Sequence, residues 1–315
     1  MTTPIDGIVP VMLTPFTPDN RIDEASLERL VEWYLANGSD ALFAVCQSSE
    51  MQFLDLDERV ALARAVCRMT AGRAPVLASG HVSTDLAEQR EELSAMADTG
   101  IDCLVLVTNR LDPSNSGGEA FRANLGELLA SLPEDLPLGL YECPAPFRRL
   151  LSDDELKFCR DTGRFVALKD VSCDLETVRR RVGIVAGSPL NIVNANAAIA
   201  FEAMRAGSTG FAGVFTNFHP DLYAWMYRHR AGPTALVREL AVFLALAANA
   251  EPLGYPKLAK IHQQRLGNFT SDHCRVIDFD IREKFWALEA ILEHIVNGEN
   301  DFRRRIAEAE QAAPA

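Results

Sequence analysis

Short apolar runs alternate with longer amphipathic stretches along most of this chain. The apolar runs lie at 7–13 (GIVPVML), 41–46 (ALFAVC), 75–80 (PVLASG), 103–108 (CLVLVT), 137–142 (PLGLYE), 165–170 (FVALKD), 190–194 (LNIVN) and 209–215 (TGFAGVF). Each predicts a strand that is apolar on both faces. The intervening stretches carry helical period and recognisable ends. DEASLERLVEWYLANG places Leu27, Leu30, Val31 and Tyr34 on one face and stops at Asn37-Gly38. LDERVALARAVCRMTAG closes on a glycine, STDLAEQREELSAMADTG opens on Ser83 or Thr84 as N-cap and ends at Gly100, and SDDELKFCRDTG and DLETVRRRVG repeat the scheme.

Strands buried on both faces, each followed by an amphipathic helix, imply a parallel sheet with helices outside. Repeated eight times, the pattern predicts an α/β fold of the closed (β/α)8 TIM barrel type. A doubly wound open sheet predicts a Gly-rich turn after the first strand, and that turn reads TPFTPDN. After Phe215 only helical stretches remain, at about 219–230, 233–249, 255–265, 278–296 and 299–311. The first closes the barrel. The rest predict a C-terminal helical extension, giving a barrel over 1–230 and an extension over 231–315 that packs on it or in a subunit interface.

Composition narrows the class. The 315 residues are 48% hydrophobic and 24% charged, with a net charge of −13. Such acidity argues against nucleic acid or an anionic membrane surface as the main partner. The seven cysteines are scattered without zinc-site spacing, which argues against a structural metal and suits reduced thiols in a cytoplasmic protein. The N-terminus lacks the pattern of a signal peptide, and no window is apolar enough to span a membrane.

In barrels of this class the C-terminal strand ends build the active site. Two of those ends carry Tyr141 (YECPAP) and Lys169 (LKDVSCD). A lysine among apolar neighbours loses hydration of its charged form, so a free amine becomes available to attack a carbonyl and form a Schiff base. It could instead be neutralised by Asp170 or another carboxylate at the barrel rim. Tyr141 could shuttle protons beside such a lysine or simply pack at the rim. The polar turn CQSSE, residues 46–50, could offer backbone N–H groups to a carboxylate, or be a capping turn in which Glu50 satisfies nearby amides. His81 is a further acid–base candidate, and Arg179 to Val182 (RRRV) reads as a solvated helix face.

Taken together, GIVPVMLTPF, CQSSEMQFLDLDER, YECP, ALKDVSCDL and AGSTGFAGVFTN resemble the dihydrodipicolinate synthase / N-acetylneuraminate lyase family of class I aldolases, in register over about residues 5–300. The resemblance implies a barrel with a helical extension, a homotetramer or homodimer, and no metal or organic cofactor. It implies Lys169 as the Schiff-base lysine, Tyr141 as the catalytic tyrosine and Ser48 in their proton relay. Gln47, Ser49, Asn194, Ala212 and Arg148 are the implied substrate-binding residues.

Departures from the family pattern bear on the substrate. The G-[ST]-T-G-E loop is replaced by Cys46-Gln47-Ser48-Ser49-Glu50, which predicts a stiffer loop and a smaller pocket. The relay tyrosine that dihydrodipicolinate synthases place after strand four is absent, with Arg110 and Leu111 at the matching positions. Pro146 stands where they bind a second carboxylate through arginine, leaving Arg148 or Arg149 nearby. Leu111, Pro146, Phe147 and Phe215 predict a less polar pocket for the second reactant. The expected function is a lyase, aldolase or dehydratase acting on pyruvate or a related 2-oxo acid; the alternative is a non-catalytic or regulatory barrel that binds a 2-oxo acid.

Overall fold

The computed structural model describes residues 5–312, so the outermost residues of the expected barrel and extension lie outside the described residues. All eight apolar runs form strands: β1 Gly7–Ile8, β2 Leu42–Val45, β3 Val76–Ala78, β4 Cys103–Val107, β5 Leu138–Tyr141, β6 Phe165–Asp170, β7 Asn191–Asn194 and β8 Gly210–Phe211. They pair in parallel in the order β1-β8-β7-β6-β5-β4-β3-β2. A parallel bridge from Val11 to Phe43 closes the ring, with Phe43 N–H donating to the Pro10 carbonyl at 2.9 Å and Met12 N–H to the Phe43 carbonyl at 3.0 Å. The first strand is shorter than the apolar run because Pro10 has no N–H to give a ladder.

Helices α1 Glu24–Ala36, α2 Leu56–Thr70, α3 Leu86–Ala97, α4 Thr108–Leu111, α5 Gly118–Leu129, α6 Asp153–Asp161, α7 Leu175–Val185, α8 Ala200–Arg205 and α9 Pro220–Arg228 follow the strands. Side-chain caps fix several starts. Asp85, rather than Ser83 or Thr84, caps α3 by accepting from the N–H groups of Ala87 and Glu88. Along each strand alternate residues point inward. Phe43, Leu77, Val105, Ala167 and Val193 fill the barrel below the mouth.

The extension comprises α10 Ala235–Ala247, α11 Lys257–Arg265, α12 Ile281–Lys284 and α13 Leu288–Ala312. It departs from the expected helices at two places. The chain breaks at Phe285, which turns into the wall of the barrel-mouth cavity. Asn297-Gly298 does not end a helix, and α13 runs through it for 25 residues. A Cβ at Gly298 would lie 2.2 Å from the Phe243 ring, so the glycine serves the close approach of α10 and not a stop.

Candidate active site

Strands β5 and β6 are in register with Tyr141 opposite Lys169, so both side chains enter the barrel mouth in one layer. Lys169 is 9% exposed. Its Nζ sits 4.2 Å from the centroid of the Tyr141 ring and 5.8 Å from that of Phe43. Burial lowers its pKa from the ordinary lysine range, opposed by the nearby Cys46, Cys143 and Glu251. The pairing with Asp170 does not occur. Asp170 is the next residue on the strand and points to the opposite face.

That outward face holds an arginine taken in the sequence for a solvated one. Arg179 and Arg180 are exposed, but Arg181 is 1% exposed and reaches in from α7. It donates to both Glu142 oxygens at 2.9 and 2.6 Å, to Asp170, and to the Leu151 carbonyl at 3.0 Å. Glu142 follows Tyr141 and Asp170 follows Lys169, so one guanidinium ties together the backbones that carry both site residues. The helix period marked it: α7 buries Val178, Arg181 and Val185.

The 46–50 turn forms one edge of the site. Cys46 is extended and residues 47–49 form a single 3-10 turn, so neither position that lost a family glycine needs one. The loss of both glycines thus leaves no backbone strain at those positions, and within residues 46–50 only Glu50 is left-handed, at φ 62°. The Ser49 N–H donates to the Cys46 carbonyl, while the Gln47 and Ser48 N–H groups lead the turn and have no acceptor within it. Glu50 satisfies amides, but distant ones. It accepts from Arg275 N–H at 2.6 Å and Val276 N–H at 3.0 Å and pairs with the buried Lys260 of α11.

A cavity of about 720 Å³ opens above Lys169, within the range of about 300–1,000 Å³ usual for ligand sites. Gln47, Ser48, Tyr141, Lys169 and Ala212 line it. The Tyr141 hydroxyl makes a long 3.5 Å contact with Gln47 Oε1, which also accepts from the Cys143 thiol at 3.5 Å. Burial pushes the Tyr141 pKa well above the usual phenol range, so it is a neutral proton donor. Much of the remaining wall comes from the extension: Glu251, Tyr255, Ile277, Phe279 and Phe285. Tyr255 lines the cavity beside Ser48 and accepts from Asn217 Nδ2 at 2.9 Å. Neither Glu251 nor Tyr255 was found from the sequence; the only sign was the EPLGYP break between two helical stretches.

Other expected site residues are placed differently. The Ser49 hydroxyl is consumed by the Cys46 backbone, accepting from its N–H at 2.6 Å and donating to its carbonyl at 2.9 Å. Asn194 is buried, and its amide exchanges hydrogen bonds with the Asn196 backbone; Ala195 and Asn196 meet the cavity instead. Arg148 is exposed and donates to the Val171 and Ser172 carbonyls at 3.2 and 3.3 Å. Arg149 is buried against Asp112 and Glu155. Leu111 and Phe215 are packed in the core, and Pro146 and Phe147 lie off the cavity, so its apolar wall is built by Phe53, Ile277, Phe279 and Phe285. His81 is fully buried and neutral, its pKa lowered to about 4 by burial, with Nε2 accepting from Val107 N–H at 2.6 Å. Among the described residues no three His, Cys, Asp or Glu side chains converge to hold a metal ion, and no helix is long and apolar enough to cross a membrane.

Known proteins resemble this chain in sequence and in fold. The 4-hydroxy-tetrahydrodipicolinate synthase of Shewanella frigidimarina is 25% identical over 290 residues, covering 90% of this chain and 95% of its own. That of Thioalkalivibrio sulfidiphilus is 28% identical over 215 residues, 68% of this chain and 71% of its own. Among solved structures, a dihydrodipicolinate synthase from Bacillus anthracis superposes with TM-score 0.83 at 22% identity, covering 93% of this chain and 99% of the other. A chloride-inhibited dihydrodipicolinate synthase from Acinetobacter baumannii, solved in complex with pyruvate, superposes with TM-score 0.81 at 22% identity, covering 92% and 98%. The model of the dihydrodipicolinate synthetase family matches residues 4–276, and with that match over most of its length the chain belongs to the dihydrodipicolinate synthetase family.

Proposed function

We propose that this protein is a lyase of the aldolase or dehydratase kind that forms an imine between Lys169 and pyruvate or a related 2-oxo acid. The observation that carries this reading is the buried Lys169 amine, with no carboxylate of the described residues within ion-pair distance, beside Tyr141 at a cavity edged by the Gln47 and Ser48 amides. Similar chains are 4-hydroxy-tetrahydrodipicolinate synthases, and one similar structure holds pyruvate.

The chemistry follows from the groups present. The Nζ lone pair attacks the keto carbon, the N–C bond forms, and a proton moves from nitrogen to the former carbonyl oxygen to give a carbinolamine. Protonation of that hydroxyl releases water and leaves a protonated imine, which draws electrons from the adjacent carbon. Tyr141 and Ser48 handle these protons, and the Gln47 and Ser48 amides hold the carboxylate. The wall of Phe53, Ile277, Phe279 and Phe285 favours a second reactant of low polarity, because the hydroxyls of a sugar acid would lose water there without replacement.

Incubation with pyruvate, reduction with borohydride and peptide mapping test the reading. The expected result is an adduct on Lys169. Its absence with pyruvate and a panel of other 2-oxo acids refutes the reading, and an adduct without turnover on any aldehyde makes the protein a binding barrel instead.

A further inference from the structure

We propose that Tyr255, supplied by the same chain, is the proton-handling partner of Ser48 in the imine chemistry of Lys169; this rests on the function proposed above. Tyr255 lies in the turn between the short 3-10 segment Ala248–Leu253 and α11, and it lines the cavity together with Ser48, Tyr141 and Lys169. Gly254 precedes it at φ 109°, and a Cβ there would meet Ile281 at 2.7 Å, so the turn that delivers the phenol requires a glycine.

The hydrogen bonds around the phenol have a fixed direction. Asn217 Nδ2 also donates to the carbonyls of Val11 at 2.9 Å and Val214 at 3.0 Å, and its Oδ1 accepts from the Tyr34 hydroxyl. Carbonyls can only accept, so the amide cannot be reversed. Nδ2 can only donate, so the Tyr255 oxygen accepts a hydrogen bond from it, and the phenol's own O–H is left to turn toward Ser48 on the same cavity wall. Burial raises its pKa well above the usual phenol range, so it rests protonated at neutral pH.

Protons balance along this path. As the carbinolamine hydroxyl leaves as water it takes the Ser48 proton, and Ser48 takes that of Tyr255. The products are the protonated imine, water and a Tyr255 phenolate. When the adjacent carbon loses a proton to give the enamine, that proton returns through Ser48 and the phenol is restored. Tyr255 acts through Ser48 and is a positioning and relay residue, not one that attacks substrate.

The test is the rate of borohydride-trapped adduct formation at Lys169 with pyruvate, in the full chain, for the parent, Tyr255→Phe, Ser48→Ala and the double variant. Tyr255→Phe slows trapping at saturating pyruvate by about a hundredfold with the half-saturating concentration unchanged, and the double variant is no slower than Ser48→Ala alone. A fluorinated tyrosine incorporated at position 255 lowers the phenol pKa and moves the pH profile of the trapping rate; it serves also if Tyr255→Phe does not fold. A Tyr255→Phe rate within twofold of the parent, effects that multiply in the double variant, or an unmoved pH profile overturns the proposal while leaving the Lys169 imine standing. A parent that forms no adduct overturns both.

Discussion

Arg181→Met removes the charge that ties β5 to β6 while keeping a side chain of similar length. In the parent, Glu142 and Asp170 are both 0% exposed and share this guanidinium. Some partners survive the change. Glu142 still accepts from Leu151 N–H at 2.7 Å and Val171 N–H at 3.0 Å, and Asp170 from Ser172 N–H at 2.9 Å. Removing one partner of a buried ion pair costs about 3–5 kcal/mol, against a total stability of about 5–15 kcal/mol for a typical protein. Burial already raises the Glu142 pKa in the parent, and Arg181 opposes it. Without Arg181 the Glu142 carboxyl rises further above its unfolded value of about 4. A folded-state pKa above the unfolded one means that the folded variant holds protons the unfolded chain releases, so stability falls as pH rises through the window between them. Urea unfolding of parent and variant at pH 5 and pH 8 therefore shows a deficit of about 4 kcal/mol at pH 8 and a smaller one at pH 5. An equal deficit at both pH values, or one below about 1 kcal/mol at pH 8, refutes the reasoning.

Lys169→Ala abolishes the borohydride adduct with pyruvate, and because burial lowers the parent's Lys169 pKa, the parent's trapping rate reaches its plateau below the ordinary lysine pKa of about 10.4; a pH–rate profile checks this. Lys260→Met leaves Glu50 buried without its cation and costs about 3 kcal/mol, measured by urea unfolding, and adduct formation slows with it because the loop carrying Gln47 and Ser48 loses its anchor. His81, held near 4 by burial, shows no titration of its ring proton resonances between pH 5 and 8; because the unfolded imidazole charges near 6.5, the lowered folded pKa makes stability fall as pH falls from about 6.5 toward 4.

The fold could be read from the chain because β6 and its sister strands advertise burial on both faces, and because helix ends carry caps such as Asp85. Lys169 and Tyr141 were legible for a topological reason: each ends an apolar strand, and the parallel order makes all those ends meet at one mouth. Residues whose polar groups are consumed locally misled the reading. Ser49, Asn194 and Arg148 have suitable chemistry, but backbone groups within a few residues or across a loop claim it. Arg181 was hidden by its two exposed neighbours, although the spacing of Val178 and Val185 marked its face. Tyr255, Glu251 and the apolar wall lie in the extension, and no local pattern states that a segment beyond the last strand folds back over the mouth. Gly298 shows the same limit from the other side, since only the position of Phe243 explains it.

The grip of Glu50 on Arg275 and Val276 spans 225 and 226 positions of sequence. On a ribosome, the loop that edges the site emerges long before its fastening, because the amides that hold its end are made only after every strand has been synthesised. A nascent chain that has released its eight strands thus has its sheet partners but an unfastened Glu50, whose charge stays in water until the tail arrives. Docking of the segment around residue 275 therefore fastens the edge of the barrel mouth only after the last strand of the sheet has been made.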